Sequence, residues 1–303
     1  MLAAIDVGSN TVRMLIGDCA ARQVQADHYY RCITRLGGGY TPGMGLAAES
    51  IERTLAALAA FSKILHQQSI TKVRAVGTAA LRRAENSQEF QEGFTELTQL
   101  KLEIITGDEE AQLTARGVLS AIHPIPATAL ILDVGGGSTE LILVEDGQIL
   151  FRRSYPLGVV RLCEEEPDDS ARLTAISRML DELYLDLSRS HMKDKLGGSC
   201  QLVGTAGTVT TLAAMAQQMI DYDPHRINNF TLSRGWLQQA YNRLAPMSVE
   251  ERERLPGMEE GRGDLIVPGL QLVLSLLERY SWSSLKVADS GLLEGILLGI
   301  AED

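Results

Sequence analysis

The feature that most constrains this chain is that it repeats itself. Ala4-Ile5-Asp6-Val7-Gly8-Ser9-Asn10-Thr11 returns as Ile131-Leu132-Asp133-Val134-Gly135-Gly136-Gly137-Ser138, a step of 127 positions from Asp6 to Asp133. Val76-Gly77-Thr78-Ala79 returns as Val203-Gly204-Thr205-Ala206 at the same step of 127. A third pair, Gly107-x-x-Glu110 and Gly291-x-x-Glu294, keeps the order at a step of 184, so about 57 additional residues sit in the second half. Two pairs sharing one offset point to a duplication, and 303 residues exceed the usual size of a single domain.

Each half reads alike. An apolar run enters an Asp-x-Gly turn and leaves as a second apolar run, Val12 to Ile16 or Leu141 to Val144, which predicts a β-hairpin. Further strands are expected at 24–33 and 148–155, and short buried ones at Val73–Val76 and Leu102–Ile105. The stripe Ile51, Leu55, Leu58, Phe61, Leu65, with Glu49, Arg53 and Lys63 opposite, predicts a helix over 48–68. Others are expected at 109–121, 170–190, 208–219, 234–244 and 265–280. His123-Pro124-Ile125-Pro126 reads as the connector. The fold class is therefore duplicated α/β, with domains over 1–124 and 125–303, a helical insertion in the second, and a cleft between them.

Composition excludes several classes of function. A net charge of −11 disfavours nonspecific binding of DNA, although local arginines or a cation can still hold a polyanion. The four cysteines and five histidines lack zinc-type spacing. No apolar run is long enough for a membrane span, and the first residues do not read as a secretory leader, so a cytoplasmic protein is expected.

The motifs point to phosphate. Gly135-Gly136-Gly137-Ser138 removes three side chains from one turn, so successive N–H groups can converge on an anion. Gly8, Ser9, Asn10 and Thr11 form the matching turn. Asp133 and Glu140 flank the second turn as candidate Mg²⁺ ligands, although an Asp beside a turn also caps backbone. The first half has Asp6 at the place of Asp133 but Arg13 at that of Glu140, so a metal site is expected on one side only. Glu110 is a candidate base for water; Asp108 and Glu109 are ordinary first-turn acids. Arg82 is a candidate phosphate ligand, Arg83 equally a solvated helix-start residue, and Gly207 and Thr208 lie between strand and helix, where anions bind. No P-loop is present. Glu164-Glu165-Glu166-Pro167-Asp168-Asp169 reads as a solvated loop.

Seven segments in order carry a resemblance: Asp6–Asn10, Gly77–Arg82, Gly107–Ala111, Asp133–Glu140, Gly204–Thr208, Arg262–Gly269 and Ser290–Gly295. Together they resemble the exopolyphosphatase and guanosine pentaphosphate phosphohydrolase family, in its short two-domain form, over residues 2 to 300. The resemblance implies two ribonuclease H-like, actin-like domains and release of the terminal phosphate from polyphosphate or guanosine pentaphosphate, with polyphosphate or guanosine penta/tetraphosphate as the bound partner. It implies Glu110 as base and Mg²⁺ on Asp133 and Glu140. Both glycine turns and Arg82 would hold phosphate, in a homodimer. Rival expectations are a kinase of the same fold and a non-catalytic sensor of guanosine tetra- or pentaphosphate.

Overall fold

The computed structural model describes residues 1–20, 23–166, 168–197 and 200–302. The chain forms two compact units, Met1–Ser120 with Gly291–Asp303, and Ala121–Ser290.

Unit 1 is built on a five-stranded sheet of β1 (Leu2–Val7), β2 (Thr11–Ala20), β3 (Gln23–Ile33), β4 (Lys72–Gly77) and β5 (Leu102–Ile104), in the order β3-β2-β1-β4-β5. The first three strands form the antiparallel meander; β4 and β5 run parallel to β1 and arrive through helical crossovers. Strand alternation sorts the side chains. Ala3, Ile5, Val7, Val12, Met14 and Ile16 pack against Leu58, Phe61 and Leu65 of helix Ala48–Gln67 and Phe90 and Phe94 of helix Ser87–Thr98. Ala4, Leu15, Val76 and Ile105 meet Leu113 of helix Gly107–Ala121 and Leu292, Leu293, Ile296 and Leu297 of helix Leu292–Glu302.

Those last two helices cross with their backbones touching. A Cβ on Gly117 would fall 1.9 Å from the Gly291 carbonyl oxygen, and one on Gly295 would fall 1.8 Å from that of Leu113. Only glycine allows this approach.

Unit 2 repeats the plan in β6 (Thr128–Val134), β7 (Thr139–Glu145), β8 (Gln148–Tyr155), β9 (Gln201–Thr205), β10 (Thr231–Ser233) and β11 (Ser284–Val287), in the order β10-β11-β9-β6-β7-β8. The hairpin β6–β7 pairs Asp133 with Glu140, as β1–β2 pairs Asp6 with Arg13. Leu130, Leu132, Leu141 and Leu143 face helices Asp169–Arg189, Ala206–Ala216 and Ile266–Arg279. The additional residues of this half lie between β9 and β11, where β10 and helices Pro224–Ile227, Arg234–Leu244 and Val249–Glu253 have no counterpart in unit 1.

Two expectations change. The second domain was expected to run from 125 to 303, whereas the segment from Gly291 onward packs with unit 1. A helix apolar on most sides, as Leu292–Glu302 is, needs a large apolar surface, and the bare face of the first sheet supplies it. The boundary falls at Ser120–Ala121, slightly ahead of the proline connector. The acidic run is not one loop: Glu164 and Glu165 end helix Val159–Glu165, and Asp168 caps the next helix by accepting from Ala171 N–H at 2.8 Å. Pro167 lies outside the described residues. Among the described residues no helix is long and apolar enough to cross a membrane.

Candidate active site

In both units the motif residues gather where the parallel strands end. In unit 1 these are the turn after β1, the Thr78–Arg83 segment after β4 and the Thr106–Glu110 segment after β5. In unit 2 they are the turn after β6, Thr205–Thr208 after β9 and Ala288–Ser290 after β11. The carboxyl edge of a parallel sheet is where open α/β folds bind ligands.

The two turns share one closure. Gly8 N–H donates to the Thr11 carbonyl at 3.1 Å, and Gly135 N–H to that of Ser138 at 3.0 Å. Their remaining carbonyls are held from behind by different elements. In unit 1 the Ser9 carbonyl accepts from Gly37 N–H at 2.7 Å, and that of Asn10 from Thr34 and Arg35 at 3.0 and 2.8 Å. In unit 2 the Gly135 and Gly136 carbonyls accept from Val159 and Val160 N–H at 3.0 and 2.9 Å. A planar trans peptide points its N–H opposite to its C=O. The N–H groups of Asn10 and Gly137, and of Gly136, are therefore turned away from these supports.

Ser9, Asn10, Thr11 and Ser138 are buried. Two acceptors at the first turn, Asp6 Oδ1 and Asn10 Oδ1, are buried without a hydrogen-bond partner. Such groups are rare because each carries a desolvation cost, and they call for a donor from ligand or water.

The carboxylates are deployed differently in the two halves. Asp6, 2% exposed, accepts from Arg13 Nε and Nη2 through Oδ2, at 2.9 and 2.6 Å. Asp133 and Glu140, 9% and 1% exposed, stand as cross-strand partners on the corresponding strands. Glu140 Oε1 accepts from Ser154 Oγ of β8 at 2.5 Å. Among the described residues no three His, Cys, Asp or Glu side chains cluster for a metal. Two hard carboxylates on adjacent strands nevertheless suit Mg²⁺, which takes one or two protein oxygens and fills its shell from water and phosphate.

Arg82 and Glu110, read separately from the sequence, come together. Arg82 Nη1 donates to Glu110 Oε2 at 2.5 Å and to the Ile105 carbonyl at 3.2 Å. Thr106 Oγ1 accepts the Glu109 N–H at 3.1 Å in the first turn of helix Gly107–Ala121. Glu109 turns outward to Arg74 at 2.7 Å. Arg83 lies over the Tyr40 ring, 3.8 Å from its centroid.

At the end of β9 in unit 2, Gly207 is the second residue of helix Ala206–Ala216, and a Cβ there would collide with the Arg262 guanidinium. Arg262 is ion-paired with Glu259. Thr208 is 2% exposed, with its side chain packed on Gly269. Sequence reasoning missed Arg262 and Gly158 as parts of this edge. Gly158 could have been found as the residue ahead of a helix start; its absent Cβ leaves room for the Gly135 and Gly136 carbonyls, 2.5 and 2.4 Å from where it would be. Arg262 reaches Gly207 across 55 positions, and nothing local signals it.

A duplicated α/β unit with a glycine turn after its first strand defines the actin-like fold, here as an enzyme of phosphate chemistry. The chain belongs to the Ppx/GppA phosphatase family, whose model matches residues 21–303. It is 32% identical to Exopolyphosphatase 2 of Mycobacterium tuberculosis, across 99% of this chain and 98% of that protein. Among solved structures it is similar to the Ppx/GppA family member of Aquifex aeolicus, at 30% identity and a TM-score of 0.78, covering 98% and 96% of the two chains. It is also similar to an exopolyphosphatase from Cytophaga hutchinsonii, at 26% identity and a TM-score of 0.88, covering 99% and 97%.

Proposed function

We propose that this protein is an exopolyphosphatase that releases orthophosphate from the end of inorganic polyphosphate, with guanosine pentaphosphate as a second substrate presenting the same terminal anhydride. The observation that carries the reading is the part-buried Arg82–Glu110 pair at the carboxyl edge of unit 1. It puts a carboxylate and a phosphate-binding guanidinium side by side, which hydrolysis requires and simple anion binding does not.

Glu110 takes a proton from water as the water oxygen bonds to the terminal phosphorus. The bond from that phosphorus to the bridging oxygen breaks, and its electrons leave on the shortened chain. Arg82 has five N–H donors; Nη1 alone serves Glu110 and Ile105, so the guanidinium can orient the base and meet the transferring phosphoryl group. The N–H groups of the two glycine turns hold phosphate oxygens. Asp133 and Glu140 would hold Mg²⁺, which when bound neutralises charge on the phosphates. A positioned base contributes about 10²–10⁴-fold. Acceleration of phosphate-ester hydrolysis reaches ~10²¹, so in such chemistry phosphoryl-gripping donors supply most of it.

The test is phosphate release from polyphosphate and guanosine pentaphosphate in parallel, with and without Mg²⁺, for the native protein and Glu110→Gln. Mg²⁺-dependent release that falls at least about tenfold in the variant supports the reading. Nucleotide binding with no release from either compound would replace the hydrolase by a sensor.

A further inference from the structure

The chain passes from unit 1 to unit 2 at Ser120–Ala121 and returns at Ser290–Gly291. Two adjacent residues of unit 2 hold one passage each. Asn229 Nδ2 donates to the Ala121 carbonyl at 3.1 Å, and its Oδ1 accepts from His123 N–H at 3.0 Å. Asn228 Oδ1 accepts from Asp289 N–H at 2.8 Å. Neither contact is local in sequence: each spans more than 60 positions.

The local fold is built to present these two amides. Ile227, fully buried, anchors the short helix Pro224–Ile227 just before them. Asn229 has a φ of +65°, a left-handed conformation that Asn tolerates better than most residues. Its N–H donates to the Val287 carbonyl at 2.9 Å, and Val287 N–H donates to the Phe230 carbonyl at 2.8 Å, which fixes the pair to the end of β11.

The returning passage is bonded to the phosphate edge of unit 2 as well. Ala288 N–H donates to the Gly204 carbonyl at 2.9 Å, and Thr205 Oγ1 to that of Ser290 at 2.9 Å. The Tyr222 hydroxyl donates to the Asp289 carboxylate. Gly204 and Thr205 lead directly into Ala206 and Gly207. The two covalent passages are thus tied to the strand ends that carry the anion-binding residues.

We propose that Asn228 and Asn229 are positioning residues of the reaction, a two-amide clip that fixes both chain passages to the phosphate-binding edge of unit 2. The clip sets the fraction of molecules in the conformation that binds the phosphate chain. It rests on the polyphosphatase reading for its substrate. Apparent affinity scales with that fraction, so loosening the clip weakens binding while saturated turnover is retained.

The experiment is steady-state kinetics on polyphosphate for Asn228→Asp, Asn228→Ala, Asn229→Gly and Asn229→Asp. Glycine is chosen at 229 because it keeps the left-handed backbone without strain. Asn229→Gly is expected to raise KM about tenfold with kcat within about twofold, the signature of a competent fraction reduced to about one tenth. Asn228→Asp keeps the acceptor for Asp289 N–H and stays near native, whereas Asn228→Ala raises KM several-fold. Asn229→Asp keeps an acceptor for His123 but loses the donor to Ala121, and it behaves like glycine. A drop in kcat at unchanged KM would mean only a smaller folded fraction and would overturn the proposal, as would native values throughout.

Amide hydrogen exchange gives a readout without substrate. In a clip that acts as one piece, Asn229→Gly speeds exchange at Asp289 as well as at His123. Acceleration confined to His123 would show two independent hydrogen bonds and sink the idea. Should the native protein bind polyphosphate without cleaving it, calorimetric affinity replaces KM with the same tenfold loss expected. The hydrolase reading and the clip therefore fail separately.

Discussion

The two halves hold the same hairpin with opposite electrostatics. At the end of β1 and β2, Asp6 faces Arg13 and its charge is met within the protein. At the end of β6 and β7, Asp133 faces Glu140, both buried, and Glu140 accepts from Ser154 Oγ. Equivalent places beside one backbone turn thus carry an ion pair in the first half and two carboxylates in the second. The duplicated Gly-x-x-Glu motif diverged in the same spirit. Glu294 accepts from its own Gly291 N–H at 2.6 Å and caps its helix; Glu110 accepts from Arg82 Nη1 at 2.5 Å, while Thr106 Oγ1 takes the Glu109 N–H of its first turn. A duplication thus conserves the frame and reassigns the charges.

The largest effect that would break this comparison lies at the two glutamates. Glu110→Gln is expected to lower kcat on polyphosphate by about 10²–10⁴-fold, and Glu294→Gln to leave it within about twofold. Parallel kinetics on the two variants decide whether their roles have separated. Next comes the self-neutralised pair. Arg13→Ala strands a buried carboxylate and should cost about 3 kcal/mol, the lower end for a broken buried pair because Arg13 is 27% exposed. Denaturant unfolding measures it, and a loss below about 1 kcal/mol would show that Asp6 is neutralised some other way.

A smaller effect separates the supports behind the two turns. An alanine at Gly158 would drive its Cβ to 2.4 Å from the Gly136 carbonyl oxygen, whereas one at Gly37 would sit 3.2 Å from the Ser9 Cβ. Gly158→Ala should raise KM about tenfold, matching the low end of a 1–3 kcal/mol overpacking penalty, and Gly37→Ala should change it little. Equal effects would mean that both turns are equally rigid. The smallest shift is expected from Ser154→Ala, which removes one hydrogen bond to Glu140. Loss of about 1 kcal/mol in ligand orientation should raise the Mg²⁺ concentration at half-maximal activity several-fold, with Mn²⁺ binding by magnetic resonance as the activity-independent check.

What the sequence makes legible here is whatever is written in short range. The hairpins, the helix stripes and the glycine turns each follow from a dozen residues or fewer, and their positions agree with the structure. In helix Ala48–Gln67 the expected stripe is present, with Leu58, Phe61 and Leu65 buried, although Ser50, Thr54 and Ser62 share that face. What was illegible depends on distant partners. That Leu292–Glu302 belongs to unit 1 is set by a sheet face formed far upstream. Arg262 over Gly207, and Asn229 on Ala121, are long-range placements with no periodic signature. Even Glu110 and Glu294, identical by motif, are told apart by their donors: the distant Arg82 for the first, the helix's own Gly291 N–H for the second.

The discontinuity of unit 1 also has a consequence for the order in which the protein can be finished. Ala121–Ser290 is a single stretch of 170 residues and can complete its own core as soon as it is synthesised. The face of the first sheet bearing Ala4, Leu15 and Val76 is made early, yet Leu292, Leu293, Ile296 and Leu297 arrive last. At about 5–20 residues per second, roughly ten to forty seconds separate the two, during which part of an apolar surface waits uncovered. Of the two units, the one whose sheet is made earlier closes later, and its exposed interval is where a chaperone, or a neighbouring nascent chain, would find it.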